Sequence, residues 1–189
     1  MKALLAILCF FAVFGNGSAV HSKDGPPAEE KNESGKASSA KRDALRERYT
    51  SAQIEYQKRF YEIMVNKHPE LKPVLEINRD LQTAFIQSQT AKFYYLLRHD
   101  PGKIKRTEGI SAWANFDWTE SEALLKSNRE FAQLEKDIEK LKKLNNGHPQ
   151  WPQAREKFRN IMQDKDHKAA LDKLNKERSE IDKILRKAP

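Results

Sequence analysis

At 189 residues the chain is long enough for one domain with its own core, and 35 Lys or Arg against 27 Asp or Glu leave a net charge of +8. That excess excludes an acidic, self-solvating composition and directs attention to anionic partners such as lipid headgroups, envelope polymers and acidic proteins. The single cysteine, Cys9, excludes an internal disulfide and any multi-thiolate metal site.

The first nineteen residues have the layout of a secretory signal: Lys2, an unbroken apolar run over 3–14, then the small residues Gly17-Ser18-Ala19. Twelve apolar residues form a helix of about 18 Å, against the roughly 20 residues that a bilayer needs, so a permanent transmembrane anchor is not expected. Cleavage would start the chain near Val20, outside the cytoplasm, and would remove Cys9 with the signal. Lipidation at that cysteine would require a small residue before it, where Leu8 stands. A cysteine-free exported chain suits a bacterial envelope, periplasmic or extracellular, and export separates it from nucleic acid.

Residues 20–40 are rich in Gly, Pro, Ser and Glu and almost free of apolar side chains, which predicts a disordered leader. Asn32-Glu33-Ser34 is a formal glycosylation triplet, of a kind that polar tails produce by chance. From residue 41 to 189 the pattern is helical. Leu45, Tyr49, Ala52, Tyr56, Phe60 and Ile63 recur at steps of three and four, predicting a helix over 41–67. Pro69 and Pro73 interrupt it.

A second helix runs to His99, with Val74, Ile77, Leu81, Ala84, Ser88, Ala91 and Tyr95 on one stripe. Leu75, Phe85, Ile86, Phe93 and Leu97 widen that stripe, so it is expected to be the most buried. Asp100-Pro101-Gly102 stops it.

Thr119-Glu120-Ser121-Glu122 reads as a capping box opening a third helix, whose seam is Leu124, Phe131, Leu134, Ile138 and Leu141. Asn145-Asn146-Gly147 ends it, and Pro152 suits the first turn of a last segment reaching 187. That segment carries Phe158, Ile161, Met162, Leu171, Leu174, Ile181 and Leu185, divided by the polar stretch 163–168, where the seam either changes register or breaks. The expected fold is therefore all-α: an elongated, coiled-coil-like antiparallel bundle of four helices, or five.

The connection over 100–118 is long for a helix–helix link. It combines Lys103, Lys105 and Arg106 with Trp113, Phe116 and Trp118, and the incoming helix adds Lys92, Tyr94, Tyr95 and Arg98. Aromatic faces beside cations can bind a lipid, a glycan or a cell-wall fragment. The same rings can instead fold inward to plug the end of the bundle. His68, His99 and His148 sit at helix ends, and Asp164, Asp166 and His167 lack a second cluster at metal-ligand spacing, so neither a metal nor a cofactor is expected. No phosphate loop, nucleophile elbow or His-Glu-x-x-His helix is present.

The sequence thus predicts a non-enzymatic exported interaction protein, chaperone-like or a scaffold. The alternative is a module binding an anionic or amphiphilic ligand at 92–118. The apolar seam of the last helix leaves oligomerisation open.

Overall fold

The computed structural model describes residues 32–104, 109–113 and 118–187, with side chains over 40–104, 109–113 and 119–186. The fold is all-α, with no strand among the described residues. The helices are α1 (Asn32–Lys67), α2 (Lys72–His99), α3 (Trp118–Ser127), α4 (Arg129–Gly147), α5 (Trp151–Ile161) and α6 (Lys165–Lys187). Single 3-10 turns lie at Pro69–Leu71, Pro101–Lys103 and Ile110–Ala112.

Among the described residues six helices replace the expected four or five, because the two C-terminal segments each divide. At Asn128 the backbone turns extended (φ −125°, ψ 105°), and Asn128 Oδ1 accepts the Phe131 N–H at 2.9 Å. A helix cap thus interrupts what periodicity alone reads as one rod. The second break falls in the polar stretch 163–168, where Asp164 Oδ1 accepts the N–H groups of Asp166 and His167 at 3.0 and 3.1 Å. Met162, placed in the seam by periodicity, is 39% exposed there.

Two boundaries also move. The third helix opens at Trp118, so Thr119 lies inside its first turn. The first begins at Asn32, inside the stretch expected to be disordered, while residues 1–31 lie outside the described residues. Both prolines of the α1–α2 junction sit in first helical turns, where a missing N–H costs nothing.

The long helices lie in the spatial order α6–α1–α2–α4, each antiparallel to its neighbour. Paired contacts show the directions: Glu55 meets Lys173 and Arg48 meets Glu177, whereas Ser88 meets Glu135 and Lys92 covers the Phe131 ring. Being flanked on both sides, α2 buries residues on two faces, including Val74, Leu75, Leu81, Ile86, Phe93 and Leu96. Three apolar clusters result. Near the α1–α2 turn, Phe60, Met64, Leu71 and Val74 meet Ala154, Phe158 and Ile161 of α5. At mid-length Leu81 and Ala84 meet Ile138 of α4. At the far end Leu45, Tyr49, Phe93 and Leu96 meet Ile104, Ile110, Trp113 and Ile181 of α6.

The rim between α1 and α6 is polar. Arg48 pairs with Glu177 and, at 3.0 Å, with Glu180; Glu55 pairs with Lys173 at 2.6 Å and Lys67 with Asp164 at 2.7 Å. Exposed pairs of this kind contribute about 0–1 kcal/mol each, so α6 depends mainly on its few buried side chains.

Candidate functional site

Trp113 lies at the centre of the far-end cluster. It is fully buried and stacks on Phe93 at 5.3 Å between centroids, 19° from parallel. The guanidinium of Arg46 lies 5.5 Å from the same Phe93 ring and 6.0 Å from that of Tyr49. Arg46 is only 4% exposed, and burial lowers its pKa. Periodicity gave no warning of this residue, because an arginine beside the Leu45 seam reads as solvated. Its stem extends along apolar surface and its charge finds aromatic faces rather than water.

The other expected ligand residues are turned towards protein groups. Tyr94 OH donates to Glu47 at 2.5 Å, and burial with that carboxylate holds the phenol well above its ordinary pKa. Tyr95 packs on His99 at 4.5 Å. Lys92 Nζ sits 5.8 Å from the Phe131 ring, and Lys103 pairs with Glu120 at 2.9 Å. Arg98 alone of the described set is plainly exposed. Lys105, Arg106 and Phe116 lie outside the described residues, as does the side chain of Trp118. What the described residues bring together at this end is a plug of rings, with Arg46, Lys92 and Lys103 on neighbouring side chains and Arg98 exposed.

The plug is tied to α6 through one glycine. Gly109 adopts φ 83°, and a Cβ there would come within 3.0–3.3 Å of the Asp182 carboxylate. Asp182 Oδ1 in turn accepts the Ile110 N–H at 2.8 Å. Alanine at Gly109 is expected to destabilise the fold by about 1–3 kcal/mol, from left-handed strain together with a displaced carboxylate. Urea unfolding checks this, and an unchanged midpoint would remove the contact with Asp182 from the account.

The Asp164, Asp166 and His167 donors do not converge. Asp164 is held by Lys67 and two backbone N–H groups, which lower its pKa. His167 turns inward, its Nε2 2.9 Å from Tyr56 OH and its ring 5.6 Å from that of Phe60. Of the helix-end histidines, His68 lies 3.8 Å from Glu70, while His148 Nδ1 accepts the Gln150 N–H at 3.2 Å.

The outer face of α4 is arranged differently. Its buried seam, Phe131, Ile138 and Asn145, points at α2. Arg129, Lys136, Lys140 and Lys143 fall at i, i+7, i+11 and i+14, diametrically opposite that seam and all exposed. The line is about 21 Å long at 1.5 Å per residue. Among the described residues none of these four cations lies in an ion pair, and three of the four carboxylates of α4 have other partners. Glu139 pairs with Lys142, Asp137 accepts from Gln133, and Glu135 accepts from Ser88.

A shallow open groove of about 580 Å³ runs beside the line, bordered by Leu125 of α3 and by Ala132, Glu135, Glu139 and Leu144 of α4. Leu125 and Leu144 are 38% and 47% exposed. The 7-4-3 spacing of these basic residues was readable in the sequence. What singles them out, the opposite seam and the engaged carboxylates, appears only in the fold. No helix among the described residues is long and apolar enough to cross a membrane. No protein-family model, curated protein or solved structure matches the chain.

Proposed function

We propose that this chain is a non-enzymatic interaction protein working outside the cytoplasm, a helical scaffold that holds an anionic partner along the outer face of α4. The observation that carries this reading is the straight line of Arg129, Lys136, Lys140 and Lys143, exposed on the helix that ends the array. Four cations left to solvent on one rigid rod attract a partner of opposite charge in a salt-sensitive way. The signal-like N-terminus supplies the compartment, and the inward aromatics at 92–113 favour α4 over that region as the binding face.

The test is co-sedimentation with a bacterial envelope fraction. The unaltered chain is expected to pellet with it at low salt and to release as salt rises. The variant R129Q/K136Q/K140Q/K143Q is expected to stay in the supernatant with an unchanged helical circular dichroism spectrum. Equal pelleting of the two proteins would overturn the assignment to α4.

A further inference from the structure

Resting on that reading, we infer that the partner of the α4 face is the phosphate layer of an anionic phospholipid bilayer, on which the protein docks peripherally. A helix lying on a flat sheet of phosphates presents all four cations at once, because they share one side of a straight rod. The array holds α4 at its end, with α2 behind it, so the cationic side faces outward without obstruction from that neighbour. The four carboxylates of α4, Glu130, Glu135, Asp137 and Glu139, flank the line at other angles around the helix, and Glu139 is paired with Lys142, so the line itself carries only basic charge.

The groove supplies the second half of the match. Leu125 and Leu144 stand exposed beside the lysines, and Lys136, Lys140 and Lys143 line the same depression together with Glu135 and Glu139. Lysine stems and leucines together can settle into the headgroup boundary while the ammonium groups stay at phosphate level. A soluble polyanion would use the cations but would leave both leucines without a role. The attraction adds up in small increments, roughly 1 kcal/mol per cation near an anionic surface, or about fivefold in partition each.

The experiment uses the full chain with vesicles of equal parts phosphatidylglycerol and phosphatidylcholine, with vesicles of phosphatidylcholine alone, and with inorganic polyphosphate. Wild type and variants carry the same N-terminus, so differences between them read the helix surface. R129Q/K136Q/K140Q/K143Q is expected to lower partition onto the anionic vesicles several hundredfold, following the fivefold per cation. Adding Leu144→Asn should reduce it further while leaving polyphosphate binding unchanged.

A control variant, R155Q/R159Q/K176Q/K183Q, removes the same charge from exposed positions of α5 and α6 and should lose far less. Equal losses in the two quadruple variants would overturn the inference in favour of unspecific charge. Binding to polyphosphate without binding to anionic vesicles would overturn it in favour of a soluble polymer. Should α4-dependent retention on envelope material persist while protein-free vesicles fail, the lipid assignment falls and the scaffold reading stands.

Discussion

Replacing Trp113 by alanine is expected to cost about 3–5 kcal/mol of folding stability, the range for removing a large buried aromatic. The indole is fully buried, stacked on Phe93, and surrounded by Leu45, Tyr49, Leu96, Ile104, Ile110 and Ile181. It therefore joins α1, α2, α6 and the connection between α2 and α3. Its Nε1 has no hydrogen-bond partner among the described residues, so Trp113→Phe gives up volume but no bond and should cost less than half as much.

Urea unfolding followed by circular dichroism measures both. Hydrogen exchange should show protection lost first near Leu45 and Ile181, and retained near Leu71 and Phe158. A Trp113→Ala variant within about 1 kcal/mol of wild type would contradict a plug, since Trp→Ala in a packed core lies well above that. It would return the ring to the role of lining an open ligand cleft.

The second large effect concerns pH. His167 is buried against Tyr56 and Phe60, and burial lowers its pKa, with the Asp164 carboxylate opposing in part. The unfolded chain, with histidine near its ordinary value of about 6.5, then binds more protons than the folded one below that pH. Stability is therefore complete above about 6.5 and declines as pH falls towards the lower folded pKa. Asp164 behaves separately: its lowered carboxyl pKa supplies stability that is lost only on further acidification, below the ordinary carboxylate range near 4.

Stability should accordingly begin to fall as pH drops through about 6.5, before the ordinary carboxylate range near 4 is reached. His167→Phe keeps a ring against Tyr56 and Phe60 but leaves the Tyr56 hydroxyl without its partner, costing about 1–3 kcal/mol at pH 8. The gap to wild type should narrow below about pH 6.5, because only the wild type loses stability through protonation of His167. Parallel stability curves for the two proteins across that window would exclude His167 as the group responsible.

Much of this molecule was legible beforehand, and particular residues show why. Leu45, Tyr49, Tyr56, Phe60 and Ile63 are all buried as their three- and four-residue spacing requires, and Pro152 sits in the first turn of α5. Such features are local: the helix period and the geometry of proline do not depend on distant residues. The cap at Asn128 was locally written too, but a continuous apolar seam through Leu124 and Phe131 outweighed it in a reading by period.

The candidate site was harder to read. The basic residues of α4 were in plain view, yet so were those of 92–106 and of the last helix, and spacing gives no rank among them. Ranking needs to know which cations are already engaged. Lys103 is taken by Glu120, Lys173 by Glu55 and Arg48 by Glu177, contacts between residues far apart in the chain.

The amino-acid order by itself determined that the chain is helical, where the α1–α2, α2–α3 and α4–α5 junctions fall, and which side of each long helix is apolar, because those properties follow from backbone geometry and neighbours a few residues away. Tertiary structure alone decided that Trp113 faces inward, that Arg46 and His167 are enclosed, and that Arg129, Lys136, Lys140 and Lys143 remain open to solvent. The physical reason is that burial and charge pairing arise when helices remote in sequence are brought within a few ångströms of one another.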